Sequence, residues 1–136
     1  MTGLAIYELQ KAVYTALTGD APLMARVTGV YDEPDESAPF PFVVIGDGTA
    51  VDDSTKTEEG QNITLVLHVW SDARGRMEVK DIMGLIYDAL ENASLSMSGH
   101  ALIMLRFEIA EDFRDTEGGP PVYRGVMRFR ALTQKL

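Results

Sequence analysis

The sequence predicts an α+β fold: a two-layer sandwich in which a mostly antiparallel four-stranded sheet carries two helices on one face. Three observations point there. Apolar residues recur with period 2 in three stretches and with period 3.6 in two, and a short continuous apolar run lies at 42–45. Their order is α, β, β, α, β, β, with turn-rich connections that favour hairpins over crossovers. At 136 residues, with 46% hydrophobic and 24% charged side chains, one domain over 1–136 buries a core without staples.

The first helix is expected over residues 4–18. Ile6, Leu9, Val13, Ala16 and Leu17 form its apolar stripe and Thr2 stands where an N-cap belongs. Gly19 and Pro22 end it, the first as a left-handed cap and the second as a breaker. Residues 23–30 fit a helical turn leading into a brief extended piece that ends at Tyr31. Residues 32–41 form a loop of prolines and acids, and the Pro39-Phe40-Pro41 run forces extended backbone. A buried strand follows over 42–45 and stops at Gly46-Asp47-Gly48.

Residues 47–60 read as a long acidic loop, well beyond the usual length of about 4–6 residues. As a hairpin arm it reaches roughly 20 Å. That exceeds the ~14 Å radius of gyration expected for a chain of this size, so such an arm touches a neighbouring molecule.

The clearest unit lies next. Over 62–70, Ile63, Leu65, Leu67 and Val69 alternate with Thr64, Val66, His68 and Trp70, which is a strand with one buried face. Turn chemistry occupies 71–75. From Met77 the period changes to 3.6, with Val79, Ile82, Met83, Ile86, Ala89 and Leu90 on one helical face. Residues 92–99 form a loop. The strand over 101–113 sets Ile103, Leu105, Phe107 and Ile109 against Leu102, Met104, Arg106 and Glu108. A wide turn fills 115–121. The last strand, 122–133, turns Tyr123, Gly125, Met127, Phe129 and Ala131 towards the helices and puts Arg124, Arg128 and Arg130 on the open face.

Chemistry is scarce. There are no cysteines, so disulfides and thiolate metal sites are excluded. The two histidines, His68 and His100, lack partners at zinc or triad spacing, and His68 reads as a partly buried strand residue. Gly46-Asp47-Gly48 has neither phosphate-loop spacing nor a lysine. The loop acids Asp52, Asp53, Glu58 and Glu59 miss the calcium-loop pattern. Met24, Met77, Met83, Met97, Met104 and Met127 are spread over several elements, as core filler is. No enzyme activity and no cofactor are expected. No apolar run approaches the roughly 18–20 residues of a membrane span, and residues 1–13 lack the basic lead of a signal peptide.

The net charge of −9 argues against wrapping on nucleic acid, which needs a basic footprint. Its distribution is uneven. Residues 31–60 carry nine acids and one base, Lys56, whereas 122–136 carry Arg124, Arg128, Arg130 and Lys135 and no acid. Differing solvated faces account for this, as do complementary surfaces on neighbouring copies. Trp70, at a strand end beside a turn, covers the core edge or anchors an interface between subunits.

Taken in order, these stretches resemble the tail-completion and tail-terminator proteins of long-tailed bacteriophages and related gene transfer agents. The resemblance rests on the helix end over 17–27, then Val30-Tyr31-Asp32 and a proline-rich loop. Phe40-Pro41-Phe42-Val43-Val44-Ile45-Gly46 is similar to the family's proline–aromatic–Val-Val-Ile-Gly strand. The polar loop, Val69-Trp70-Ser71-Asp72, Gly75 and a helix reaching Asp88-Ala89-Leu90 follow. Tyr123-Arg124-Gly125 and Arg128-Phe129-Arg130 close the chain.

The resemblance implies a virion-tail protein assembled in the bacterial cytoplasm. It forms a ring, usually of six copies, that caps the head-proximal end of the tail tube, stops tube polymerisation and docks the head connector. It implies no active site and no cofactor. Expected partners are further copies of itself, the tube protein and the connector or stopper protein, and no membrane. DNA passes through an acid-lined lumen without specific binding. A ring needs two different patches per subunit. Asp52, Asp53, Glu58 and Glu59 of one copy are expected to meet Arg124, Arg128 and Arg130 of the next, with Trp70 beside them. Other adaptor, stopper or tube proteins of the same machine, and a small-molecule-binding domain of similar fold, are the alternatives.

Overall fold

Three of the strands follow from period-2 patterning and a fourth from a short buried run, and the computed structural model, which describes residues 3–115 and 120–136, adds elements too short to repeat a period. The order is α1 (Ile6–Thr18), α2 (Ala21–Met24), β1 (Val30–Tyr31), β2 (Phe42–Asp52), β3 (Gly60–Ser71), α3 (Met77–Leu90), β4 (Ser96–Met97), β5 (His100–Asp115) and β6 (Val122–Lys135). The sheet runs β1-β2-β3-β6-β5-β4. The expected four-stranded antiparallel sheet with two helices is therefore corrected to a six-stranded mixed sheet with three helices. β1 pairs in parallel with β2, Val30 opposite Val43 and Tyr31 opposite Val44, and the other pairings are antiparallel.

The core forms where α1 and α3 lie on one face of the sheet. Leu9, Val13 and Leu17 of α1 and Val79, Ile82, Ile86 and Leu90 of α3 meet Ile63, Leu65, Leu67 and Val69 of β3 and Met127, Phe129 and Ala131 of β6. The apolar stripes predicted for the two helices and for β3 face this core. Gln61 of β3 holds the start of α1: the Ala5 N–H donates to Gln61 Oε1 at 2.9 Å, and Gln61 Nε2 donates to the Gly3 carbonyl at 2.8 Å. The helix begins at Ile6 rather than residue 4. The N-cap expected at Thr2, and most of the turn expected over 115–121, lie outside the described residues.

Three local expectations are corrected. Gly19 is right-handed (φ −89°), because the chain runs on into a second helix instead of reversing. Asp20 caps α2 through the Leu23 N–H at 3.1 Å, and Pro22 sits in its first turn, where a missing N–H costs nothing. The strand expected to stop at Gly46-Asp47-Gly48 instead continues to Asp52, with a register shift between Ile45 and Gly48. Here glycine allows close approach rather than a stop. A Cβ on Gly46 would lie 2.7 Å from the His68 ring, and one on Gly48 3.1 Å from the Thr64 carbonyl.

The long loop expected over 47–60 accordingly shrinks to a tip of residues 53–59. It does not stand free, since β3 pairs with β6 as far as Gly60 opposite Gln134 and the Lys135 N–H donates to the Glu59 carbonyl at 2.8 Å. In β5 the expected alternation fails. Register shifts between Leu102 and Met104 and between Phe107 and Ile109 each insert a residue and swap faces. Leu105 is buried, while Ile103 and Ile109 are 60% and 40% exposed.

Candidate functional site

Helices cover one face of the sheet and leave the other open, so strand register decides which side chains meet there. On the open face, Phe42 of β2 stands opposite Trp70 of β3, Trp70 opposite Arg124 of β6, and Arg124 opposite Phe113 of β5. The four form one row across four strands. The Arg124 guanidinium carbon lies 5.3 Å from the Trp70 ring centroid and 5.6 Å from that of Phe113, a cation held between two π faces. Tyr31 and Phe40 extend the row, their rings 5.8 and 5.2 Å from Phe42.

One row further along, Val44, His68 and Val126 stand side by side. Burial lowers the His68 pKa from its ordinary 6.5 and the positive Arg124 lowers it further, while Asp47 opposes both. The imidazole is therefore neutral at neutral pH. Arg124 Nε and His68 Nδ1 are buried without a hydrogen-bond partner among the described residues. Both side chains line a groove of about 670 Å³ whose floor includes Phe42, Val44 and Trp70. Asp32, Asp35, Glu36 and Asp47 line the same groove, and no described cation pairs with any of these four.

The middle of the open face is different in chemistry. Arg128 Nε and Arg130 Nε both donate to the Glu108 carboxylate, at 3.1 and 2.8 Å. Arg130 Nη1 also donates to Asn62 Oδ1 at 2.8 Å. The Arg130 hydrogen bond leads the causes that lower the Glu108 pKa; desolvation opposes it, and the charges of Arg130 and Arg128 add to it. Arg106, opposite Arg130, is engaged by Glu91 at 3.3 Å. Two arginines thus share one carboxylate, which leaves a positive surplus.

The eight residues singled out from sequence therefore fall in three places. Trp70 and Arg124 come together in the groove, and Arg128 and Arg130 come together around Glu108. Asp52, Asp53, Glu58 and Glu59 cluster at the β2–β3 tip, where Asp52 accepts from Ser54 Oγ at 2.6 Å and Glu59 pairs with Lys135 at 3.4 Å. The tip lies roughly 35 Å along β3 from Trp70, at ~3.3 Å per residue. Phe42, Phe113, Glu108 and the acids around the groove were not singled out. Alternation gave Glu108 its face, but only register brings it to the arginines. Among the described residues no group of three or more His, Cys, Asp or Glu is placed to hold a metal ion, and no helix is long and apolar enough to cross a membrane.

Comparison with known proteins places the whole chain among relatives. A family model described as "Tail completion protein gp17" matches residues 11–134. The tail completion protein gp17 of Bacillus phage SPP1 is 36% identical over 115 residues, 85% of each chain. A chain of a solved structure titled as the virion of a native gene transfer agent particle superposes with a TM-score of 0.88 at 33% identity, covering 98% of this chain and 99% of that one. The structure of bacteriophage SPP1 gp17 superposes with a TM-score of 0.63 at 31% identity, covering 96% and 95%.

Proposed function

The chain belongs to the tail completion protein gp17 family, and from that premise we propose that it performs its tail-completion role as a closed ring on the end of a phage-like tail tube. Its role is structural, within a particle built from tail and head components. The observation that carries the ring reading is the end-to-end likeness, TM-score 0.88, to a chain from an assembled gene transfer agent particle. In this reading a ring, six copies in the first instance, ends tube growth on one side and receives the head connector or stopper protein on the other. DNA passes through without specific binding, and assembly takes place in the bacterial cytoplasm.

Two properties of the surface support it. A ring needs different patches on the two sides of each subunit. Tyr7 and Tyr14 on α1 and Ile109 and Phe113 on the opposite face of the sheet are large, apolar and exposed. Charge supplies a second complement. The acidic tip with Asp52, Asp53, Glu58 and Glu59 is suited to the positive surplus at Arg128 and Arg130 of the next copy, with Trp70 and Arg124 further along the same face.

Native mass spectrometry of the purified protein across a salt series, followed by electron microscopy with tail tubes added, tests this. The expected result is a closed ring that dissociates with salt, or a monomer that forms one ring at a tube end. A stable two-fold dimer, or open-ended tubes made of this chain alone, overturns it.

A further inference from the structure

We infer that the groove between the 32–36 loop and the Phe42–Trp70–Arg124 row docks an extended, basic segment of a partner protein. The proposal goes beyond the ring reading and does not depend on it.

The floor has the composition of an anchoring surface. Aromatic and arginine side chains dominate binding energy when they line a concave, partly desolvated site. Here Trp70, Phe42 and Arg124 line a groove of about 670 Å³. Phe42 to Arg124 spans two inter-strand steps of ~4.8 Å, roughly 10 Å in all, the length of about three extended residues.

The charge identifies the occupant. Asp32, Asp35, Glu36 and Asp47 line the groove, and no described residue neutralises them. The one cation beside them, Arg124, is held between Trp70 and Phe113. An incoming chain bearing lysine or arginine meets four carboxylates, whereas an acidic one is repelled. A second copy's hairpin tip has the wrong sign, with Asp53, Glu58 and Glu59 against Lys56.

The two unpartnered atoms point to main chain. Arg124 Nε is a donor without an acceptor, and His68 Nδ1 takes the acceptor role when its proton sits on Nε2. A peptide group offers one C=O and one N–H, so extended backbone answers both at once.

Trp70 is the only tryptophan, so intrinsic fluorescence reports on the groove directly. The full chain is titrated to millimolar concentration with three capped octapeptides of alternating Lys/Val, Ser/Val and Glu/Val. The Lys/Val peptide is expected to give a saturable change, with Ser/Val at least several-fold weaker and Glu/Val silent. The double variant Asp35→Asn, Glu36→Gln alters two exposed side chains and is expected to bind Lys/Val about tenfold more weakly. Equal binding of Glu/Val, no saturable response to any peptide, or unchanged affinity in the double variant overturns the proposal. These readouts need no ring, so their failure leaves the ring reading standing.

Discussion

Gly125 carries the contact that seats α3 on the sheet, and its replacement by alanine makes a quantitative test. A Cβ there would lie 2.7 Å from Met83 Sδ, 3.0 Å from Val79 Cγ2 and 3.1 Å from Met83 Cγ. Carbon–carbon contacts rest near ~3.5–4.0 Å, so the helix face must retreat by several tenths of an ångström. The Met83 side chain bends away at little cost. Val79 is β-branched, fully buried and held to one rotamer in a helix, and it does not. Overpacking of this kind costs about 1–3 kcal/mol, while the entropy gained by removing a strand glycine returns about 0.5–1 kcal/mol. The net loss lies between about 0 and 2.5 kcal/mol and centres near 1 kcal/mol, a fall in Tm of roughly 3–6 °C for a domain of this size. Gly84 is the control. It lies in the exposed face of α3 with nothing within 4 Å of its would-be Cβ, so Gly84→Ala stabilises by about 0.5–1 kcal/mol. Thermal melts followed by far-UV circular dichroism measure both variants. The destabilisation by Gly125→Ala should also shrink by about 1 kcal/mol in a Val79→Ala background, where the rigid contact is removed. If Gly125→Ala melts at or above the wild-type temperature, the seating of α3 is not as described.

Two further outcomes concern the open face. Glu108→Gln removes the carboxylate shared by Arg128 and Arg130; because the group is exposed, stability should fall by less than about 1 kcal/mol. The proposed ring should become more resistant to salt, whereas Arg128→Glu should make it less so, and native mass spectra in which both variants shift the same way would dismiss the tip-to-arginine contact. Acidification should weaken the fold in two steps. The folded His68 pKa lies below 6.5, so the unfolded chain takes up that proton first and stability declines as pH falls below ~6.5 until the folded His68 also titrates. The folded Glu108 pKa lies below 4.5, so its contribution is present above that value and is lost as pH falls further towards the folded pKa. Around His68 the facing groups are Arg124 from β6 and Asp47 from β2, with Asp32, Asp35 and Glu36 also lining the groove. Urea midpoints at a series of pH values should lose the upper step in His68→Gln and keep the lower one; an upper step that survives the substitution belongs to another group.

What could be read without coordinates was what repeats. β3 and α3 were legible because nine alternating residues and four helical turns each bury one face, and Met77–Leu90 begins where the period changes. β1, β4 and α2 hold two, two and four residues, about one period each, so nothing repeats; the stretch before Tyr31 still read as a helical turn and a brief extended piece, whereas β4 fell in residues read as a loop. Glycine misled twice for one reason. Gly19 does end α1, but right-handed instead of left-handed, and Gly46-Asp47-Gly48, expected as a stop, instead makes room for His68 and α1. Whether glycine serves a turn or a close approach depends on what lies across from it, and that is tertiary information. The same holds for the groove. Trp70 and Arg124 each stood out alone, but their meeting depends on a β3–β6 register that places Trp70 against Arg124.

That register also gives the open face a division of labour. Arg128 and Arg130 share Glu108, so they remain solvated and positive, a surface suited to long-range attraction that salt weakens. Arg124, two rows away, is held between rings and shielded, where charge counts through contact geometry and salt acts little. In the proposed reading, closing around a tube end and then accepting another component needs both kinds of contact. One must form between identical copies and the other must discriminate a different partner. If the two surfaces serve these separate ends, ring formation should be salt-sensitive and indifferent to Asp35→Asn, Glu36→Gln, whereas peptide docking should depend on those acids and survive Arg128→Glu. A variant at either surface that abolished both properties would show the face to be one surface rather than two.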